Sequence, residues 1–229
     1  MAKRMGSWWI KDGLDGRRLE AQSFGSTWAI APGFDWTQDH GDSAVLEKDF
    51  TVTASYSEKS EQVDCLQMSS HGYTDGFAVS DGWVTTSDNI DFGMGDLEVW
   101  ASHACQVLRH EAGNSVGRWI PAFKRLHYMC GFWTNSYSGG GQNARGQHFA
   151  LYGGAYHYLF SFWNHYPIRE AWKKANRLVE GSQVRWAYLR ANGNTSGGSW
   201  VNTYNEKITK GEPSDPVTNR SFWTASGTC

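Results

Sequence analysis

A histidine–glycine pair and a later cysteine are the residues of this sequence with the clearest capacity for chemistry. His71 and Gly72 directly follow the apolar stretch at residues 63–68, and Cys105 follows the stretch at residues 96–104. Both stretches have the composition that is typical of strands. An imidazole can accept the proton of a thiol, and the thiolate that results is a nucleophile. The sequence therefore contains the parts of a thiol–imidazole pair.

Two backbone N–H groups beside these side chains could stabilise the negative charge that develops on a substrate carbonyl. They belong to Gly72 and Cys105. Glycine at position 72 would let a substrate approach the backbone closely, because it has no side chain. Backbone donors held in place in this way form the oxyanion holes of acyl-transfer enzymes. We therefore predict Cys105, His71 and Gly72 as catalytic residues. A solvated turn remains the alternative for the His–Gly pair.

The composition argues against some classes of function. The chain has 229 residues, a formal net charge of −2 and an isoelectric point near 6.4. A chain without a basic excess has no electrostatic basis for binding nucleic acid or an anionic membrane. No apolar run approaches a span of about 20 residues, and no signal peptide is evident. We expect a cytoplasmic protein that binds neither nucleic acid nor membranes.

The cysteines and the glycine run do not indicate a cofactor. The four cysteines show no C-x-x-C spacing, so neither a disulfide framework nor a structural zinc site is predicted. The glycine run at residues 139–141 lacks the lysine and hydroxyl residue of a phosphate-binding loop. It could be a flap over the reactive residues or a plain surface loop. We predict no cofactor, and a peptide or small-molecule acyl compound as the substrate.

Strand-like and helix-like segments alternate along the chain without a repeat or a polar linker. Strands are predicted at residues 8–11, 25–34, 63–68, 96–104, 125–133 and 183–191, a hairpin at 77–86 with Asp81-Gly82 as its turn, and helices at 42–50, 148–165 and 167–180. This alternation favours an α/β fold with a mostly parallel sheet, whose functional crevice lies at the carboxyl ends of the strands. We predict one domain, residues 1–229, with an irregular tail from about residue 207.

The motifs at these strand ends resemble those of the caspase–gingipain–legumain group of cysteine peptidases, also called clan CD. The matching residues are Ser70-His71-Gly72 and Ala104-Cys105. The later segments GFWTNS, the glycine-rich loop, the aromatic helix and the EAW helix are similar to those of an uncharacterised microbial branch of that group. The resemblance implies a caspase-like three-layer α/β/α sandwich. It also implies Cys105 as nucleophile, His71 as base and acid, and the N–H groups of Gly72 and Cys105 as oxyanion donors.

The sequence departs from the group's pattern near the proposed nucleophile. Several members have a glycine soon after the cysteine, whereas Gln106 follows it here. The position two before the nucleophile often lines the specificity pocket in the group, and here it is His103. Alternate residues of a strand share one face, so His103 is expected on the same side as Cys105. Packing against aromatic residues is the alternative for His103. The predicted substrate-binding residues are His103, Tyr73, Asp75 and Trp133.

Other histidines allow alternative interpretations. A second His–Gly pair, His40-Gly41, follows no predicted strand and is interpreted as a turn and helix cap. His103, Cys105 and His110 could hold zinc, but their spacing matches no common zinc pattern. Three more histidines in the aromatic helix, His148, His157 and His165, are interpreted as core or rim residues. Asp12, Asp35 and Asn135 end predicted strands and are candidates to orient the His71 ring.

These observations predict cysteine-dependent acyl chemistry, most simply peptide-bond hydrolysis by a Cys105–His71 dyad. The same dyad would serve an enzyme that transfers the acyl group or closes a ring. A catalytically inactive scaffold that binds a peptide or a small ligand is the third hypothesis, favoured by the missing glycine after Cys105.

Overall fold

The computed structural model describes residues 2–52, 59–111, 116–160 and 164–229. The strands are β1 (Lys3–Trp9), β2 (Phe34–Gly41), β3 (Cys65–Ser69), β4 (Gly72–Tyr73), β5 (Gly76–Val79), β6 (Gly82–Thr85), β7 (Val99–His103), β8 (Tyr128–Phe132), β9 (Arg185–Asn194), β10 (Trp200–Val201) and β11 (Thr218–Thr228). The α-helices are α1 (Gly16–Ala29), α2 (Arg145–Gly153), α3 (Ala155–Leu159) and α4 (Ile168–Val179).

A central sheet of eight strands organises the chain. The strands β2, β1, β3, β7 and β8 lie side by side in this order and run parallel. Strand β9 is antiparallel to β8, and both β10 and β11 pair with β9 in antiparallel fashion. A separate sheet of three short antiparallel strands contains β4, β5 and β6. The prediction of a mixed α/β fold with a mostly parallel central sheet is confirmed.

The helices cover one face of the central sheet. Helix α4 buries Ile168, Ala171, Trp172 and Ala175, whose spacing places them on one side of a helix. These residues share an apolar cluster with Phe24 and Trp28 of α1, Phe149 of α2 and Phe132 of β8. Helices α1, α2 and α4 therefore form one layer that packs against this face of the sheet.

The other face of the sheet is covered by the small sheet and by irregular segments. Its apolar cluster contains Trp8 of β1, Trp100 of β7 and Phe77 of β5, together with Trp119 from a 3₁₀ segment. No α-helix contributes to this cluster in the ranges that the structure describes. The second helical layer of the predicted α/β/α sandwich is therefore not seen in these parts of the chain.

Two sequence predictions near the amino terminus are wrong. Residues 25–34 were expected to form a strand, but the first half of them belongs to α1, which buries Ala21, Phe24 and Trp28 at helical spacing and ends before Pro32. The His40-Gly41 pair was expected in a turn, but it lies at the end of β2. This edge strand is half exposed, and its polar sequence carries little strand signal.

Three further boundaries differ from the predictions. Residues 42–50 contain two short 3₁₀ turns instead of a helix. The hairpin at 77–86 is present, but Val79 pairs with Gly82, so its turn residues are Ser80 and Asp81. The predicted helix at 148–165 begins earlier and breaks at Gly154, which has φ +120° and whose added Cβ would lie 2.5 Å from the His165 ring. Its residues 161–163 lie outside the described residues.

The tail that was predicted to be irregular contains the longest strand of the chain. Strand β11 has 11 residues and pairs with β9 along most of its length. Only the segment before it lacks regular structure, in agreement with its glycine and proline residues. The prediction was wrong because pairing with β9, a long-range contact, decides the conformation of a polar segment. Separately, none of the described helices combines the length and the apolar character that crossing a membrane requires.

Charged side chains collect at the amino ends of the parallel strands, opposite the predicted reactive edge. Lys3 of β1 lies 2.7 Å from Glu98, 3.4 Å from Asp64 and 3.7 Å from Glu212. These three carboxylates are the one group in the described ranges with the spacing of a metal site. The Lys3 ammonium already serves as their counter-ion. Burial raises the pKa of Glu98 to about 9 in spite of Lys3.

His127, at the same end of the sheet, holds the segment before β11 in place. Its side chain is fully buried, with Nδ1 at 2.7 Å from Glu206 and Nε2 at 3.4 Å from Asp215. Burial alone would lower the pKa of His127, but the charge of Glu206, the two hydrogen bonds and the charge of Glu98 raise it to about 10. The folded state therefore holds this imidazole as a cation.

This arrangement predicts a loss of stability in alkaline solution. The pKa of His127 is raised above the value of about 6.5 of an unfolded histidine. Its contribution is therefore fully present below about pH 6.5 and disappears as the pH rises through about 10. We expect about 3 kcal/mol at neutral pH, allowing for the partial exposure of Asp215. Urea unfolding of the native chain and His127→Gln should differ most at pH 6 and converge by about pH 10. A constant difference across this range would contradict the assignment.

Candidate active site

The register of β3 and β7 brings His71 and Cys105 to the same level of the sheet. These strands are parallel neighbours, and Ser69 pairs with His103. The Ser70 N–H also donates to the His103 carbonyl at 3.1 Å. His71 and Cys105 each follow this pair by two residues. They consequently lie together beyond the carboxyl ends of adjacent strands, where open α/β sheets place their functional crevices.

Gly72 makes the closest backbone approach between the two strand ends. A Cβ added at this position would lie 2.6 Å from the Ala104 Cβ and 2.7 Å from the Cys105 carbonyl oxygen. In the ribbon of β4 and β5, the Ala78 N–H donates to the His71 carbonyl at 2.9 Å. Hydrogen-bonded pairs alternate in such a ribbon, so the Gly72 N–H points away from β5. The Cys105 N–H also has no acceptor among the described residues. Both amides can therefore serve as donors to a bound oxyanion.

A methyl group at position 72 should damage the site. We expect Gly72→Ala to lower the free energy of unfolding by about 1–3 kcal/mol, because backbone atoms must move to admit the new Cβ. The displacement should also lower any activity that depends on Cys105. Gly141→Ala is a matched control, since its added Cβ would meet no atom within 4 Å. Urea unfolding of both variants checks the prediction, and equal stabilities would contradict it.

His71 is held by the loop after β1. Its Nε2 lies 3.1 Å from the Asp12 carbonyl oxygen and 3.9 Å from the Asp12 carboxylate, and its side chain is 39% exposed. A carbonyl can only accept, so Nε2 carries the proton and Nδ1 is left as the basic nitrogen. Among the described residues, no direct hydrogen bond joins the imidazole to Cys105. Of the three residues predicted to orient this ring, only Asp12 is recorded in contact with it among the described residues. The Asn135 side chain accepts a hydrogen bond from Gln106 instead. Asp35 lies at the amino end of β2, away from the strand ends that carry His71 and Cys105.

Cys105 lies in a turn that runs beside the segment after β8. Its Sγ is 3.5 Å from both the nitrogen and the carbonyl oxygen of Ser136, and its side chain is partly exposed. The next residue, Gln106, has φ +57°, a left-handed conformation that favours glycine. Gln106 is held by a 3.0 Å bond from its N–H to the Thr134 carbonyl and by side-chain bonds to Asn135 and Arg109. A glutamine thus adopts the backbone conformation that a glycine would adopt most easily.

A buried carboxylate lies beneath the two strand ends. Glu20 of α1 is fully buried, accepts a hydrogen bond from Ser69 Oγ at 3.2 Å and contacts Nδ1 of His103. Arg145, at the start of α2, donates to it at 2.9 Å. Burial raises the pKa of Glu20, and the charges of Arg145 and Arg17 oppose this rise. One carboxylate therefore joins α1, α2 and the ends of both strands.

His103 does not line an open pocket. It points to the same side of the sheet as Cys105, as the period of the strand predicts, but its side chain has no exposed surface and its ring packs against Phe132 at 5.5 Å. Burial and the positive charges of Arg145 and Arg17 lower the pKa of His103 well below its usual range. A neutral imidazole then donates from Nδ1 to Glu20. The contact supports the packing alternative and not the predicted contact with substrate.

The other predicted substrate-binding residues lie on two sides of the strand ends. Tyr73 is 39% exposed on the small sheet, with its ring against Trp83 at 4.9 Å. Trp133 follows β8 and lines a surface cleft of about 450 Å³ together with Gln106, Arg109, Glu111, Thr134, Asn135, Tyr137 and Gln183. The Arg185 guanidinium lies 4.0 Å from the Trp133 ring centre. Gln106, the residue after Cys105, is part of the lining of this cleft.

Asp75 acts on the site through an arginine. Its carboxylate lies 3.5 Å from Nε of Arg118, whose Nη atoms donate to the carbonyls of Arg109 and Val107 at 2.9 and 3.1 Å. These two carbonyls belong to the turn that follows Cys105. The ion pair therefore helps to fix this turn. Arg118 was not predicted from the sequence, because its ion-pair partner Asp75 is distant along the chain.

The remaining cysteines and histidines have other surroundings. Burial raises the pKa of the Cys65 and Cys130 thiols, and that of Cys229 to about 11. His110 lies with its ring edge on Trp133, whereas His103 faces Glu20, so the two do not converge with Cys105 on a common point. Burial and the charge of Lys207 lower the pKa of His165 to about 4, and His157 and His165 lie with their rings 5.5 Å apart.

Comparison with known proteins gives one match, which covers almost the whole chain. A family described as a domain of unknown function, DUF6345, matches residues 5–227. The chain belongs to the DUF6345 family. No curated protein and no solved structure matches it. The candidate site in this DUF6345 chain consequently has to be interpreted from its own geometry.

Two buried residues at the site of this DUF6345 chain, Arg17 and Glu20, were not predicted from the sequence. Both lie on α1, a segment of which only the end was assigned, and that end was assigned to a strand. The sequence does contain a signal, because Ala21, Phe24 and Trp28 recur at helical spacing. Arg17 and Glu20 lie on the same side of this helix as these apolar residues. A charged residue on the buried side of a helix is uncommon, because burial of an unpaired charge is costly.

Proposed function

We propose that this protein is a cysteine-dependent acyl-transfer enzyme, and most simply a peptidase, that uses Cys105 as nucleophile and His71 as acid and base. One observation carries the proposal: the pairing of Ser69 with His103 sets His71 and Cys105 level at the ends of adjacent parallel strands. The outward Gly72 N–H and the Cys105 N–H support it as oxyanion donors. The partial exposure of both side chains leaves them accessible to a substrate.

The proposed reaction has two steps. The Cys105 thiol gives its proton to His71 as its sulfur attacks the carbonyl carbon of a peptide bond, and the oxyanion accepts hydrogen bonds from the two amides. The C–N bond then breaks, and His71 gives a proton to the leaving amine. In the second step, His71 takes a proton from water as the water oxygen attacks the thioester. The C–S bond breaks, His71 returns its proton to the sulfur, and a carboxylic acid leaves.

We further propose that the fold is caspase-like. The adjacent parallel strands β3 and β7, with the histidine and cysteine following them in this chain order, support the proposal. The absence of a helix from the second apolar cluster of the described residues is the departure from a three-layer sandwich.

The left-handed backbone at Gln106 weakens the main argument that the protein is an inactive scaffold. That argument was the lack of a glycine after Cys105. The side-chain bonds of Gln106 to Asn135 and Arg109 stabilise the conformation that a glycine would provide. A turn with this backbone strain beside an accessible thiol is typical of functional sites.

The test is a peptide library, prepared from a digested cell extract, incubated with the protein in water enriched in oxygen-18. Hydrolysis should create new carboxyl termini that carry the heavy oxygen, as read by mass spectrometry. Acyl transfer or ring closure through the same thioester would give joined or cyclic products without heavy oxygen. Binding without either product would identify a scaffold and contradict the proposal.

A further inference from the structure

Strand β11 forms an open edge of the central sheet. It pairs with β9 on one side, and in the ranges that the structure describes no strand pairs with its other side. The strand has 11 residues, and Arg220 is its one charged residue. A long edge strand with little charge presents a row of unpaired N–H and C=O groups, with which another strand can pair. The edge of β11 is therefore a surface suited to strand pairing.

The opposite edge of the sheet has features that prevent such pairing. Strand β2 carries Asp35 and Asp39, and its register with β1 shifts along the strand. Charges and irregularities on an edge strand oppose its association with other strands. In β11 the register shift lies between Thr218 and Ser221, so the uncharged residues 221–228 continue as a regular strand. The contrast identifies β11 as the edge that is open to a partner.

The direction of the free backbone groups of β11 follows from the pairing of β9. The Ala191 N–H of β9 donates to the His127 carbonyl at 3.0 Å, on the β8 side. These directions alternate along a strand, so Arg190 faces β11, where it pairs with Trp223. The residues of β11 that alternate with Trp223 direct their N–H and C=O groups to the open edge. They include Phe222, Thr224 and Ser226. Among the described residues, none forms a backbone hydrogen bond with these groups.

We propose that two copies of this chain pair through β11, antiparallel and about a two-fold axis at Thr224. In this register Thr224 bonds to Thr224 of the second copy, and Phe222 bonds to Ser226 on each side of the axis. The free N–H and C=O groups of all three residues then form hydrogen bonds, and the two central sheets become one. The inference goes beyond the proposed function, since β8 and β9 lie between β11 and the strand that leads to Cys105.

The side chains of β11 favour a second copy as the partner. Trp223 is 56% exposed, and in this register it lies opposite Ala225 of the second copy. Opposed residues of this kind have Cα atoms about 4.5 Å apart, so each indole covers a small side chain and not another indole. Arg220 lies opposite Thr228 of the second copy, and its guanidinium donates to two carbonyls of its own chain. No two charges of the same sign therefore oppose each other along the paired strands.

Sedimentation velocity over a range of concentrations tests the inference on the full chain. The native protein should sediment with twice the 25.7 kDa mass of one chain as its concentration rises. Thr224→Lys should raise the dissociation constant of the dimer by about fivefold or more, because two ammonium groups meet at the axis. Thr218→Lys is the matched control, since Thr218 is an exposed threonine of the same strand outside the proposed register. It should associate as the native chain does.

A cysteine at the axis tests the register and does not depend on the folding of the lysine variant. With oxidised glutathione as the oxidant, Thr224→Cys should form a disulfide between the two copies, since hydrogen-bonded pairs have Cα atoms about 5.5 Å apart. Mass spectrometry should find the peptide that contains position 224 joined to itself, and Thr218→Cys should give no such link. A monomer at every concentration up to about 0.1 mM would overturn the inference. So would a folded Thr224→Lys dimer as tight as the native one, or a dimer without the disulfide at position 224.

Discussion

Cys105→Ala and His71→Ala are each expected to reduce peptide cleavage by about 10³-fold or more, while the fold survives. Neither side chain is part of the buried apolar clusters, and both are partly exposed, so their removal should affect stability little. The double variant should be almost no slower than either single variant, because groups that act in one step lose their effect together. Initial rates on a peptide identified from the library measure this.

The matched control for the loss of a thiol is Cys229→Ala. Cys229 is also a partly exposed cysteine, but it lies at the end of the chain after β11, where its N–H donates to the Val184 carbonyl at 2.9 Å. Cleavage by this variant should match that of the native chain. Substantial cleavage by Cys105→Ala would remove Cys105 as the nucleophile. Additive losses in the double variant would separate His71 from the step that Cys105 performs.

Glu20→Ala is expected to lower the free energy of unfolding by about 3–5 kcal/mol, the largest effect on stability that we predict. The Glu20 carboxylate is fully buried and accepts a hydrogen bond from Arg145 at 2.9 Å. Its removal takes away a negative charge that faces the guanidinium groups of both Arg145 and Arg17. A buried cation without its counter-ion is costly. The side chains of Ser69 and His103 also lose their common acceptor. Urea unfolding at neutral pH measures the change.

The control for Glu20 is Glu47→Ala, which removes the same side chain from an exposed position. Its effect should stay within about 0.5 kcal/mol. Glu20→Gln should retain part of the stability, since the amide oxygen can still accept from Arg145. Equal effects of Glu20→Ala and Glu47→Ala would show that the buried network contributes nothing measurable.

The buried charges around Glu20 also anchor the segment that contacts Cys105. Arg145 donates to Glu20, contacts Glu180 and donates to the Tyr137 carbonyl at 3.2 Å. The Glu180 carboxylate accepts from the Tyr137 N–H at 2.9 Å. The segment that contacts Cys105 through Ser136 is thus anchored on both sides of Tyr137.

Much of the sheet was accessible from local sequence patterns. The strands β3, β7, β8 and β9 and the hairpin of β5 and β6 have apolar, β-branched or aromatic residues bounded by turn residues, and each was predicted near its actual place. Because residues that end parallel strands meet at one edge, the positions of His71 and Cys105 could be inferred without coordinates. Two of the strands that were missed, β2 and β11, are polar, and their conformation depends on a distant partner.

The sequence by itself determined the chemical groups of the candidate site and the strand ends that carry them, since these follow from residue type and from patterns within a few positions. Only the tertiary structure decided how those groups are surrounded. It turned His71 towards Asp12, buried His103 against Glu20 and tied the buried Arg17 side chain to the His103 carbonyl. The physical reason is that charge pairing and burial join residues far apart in the chain, as in the contact of Glu20 with Arg145. Such contacts leave no periodic trace in the sequence, because each depends on the packing of whole elements.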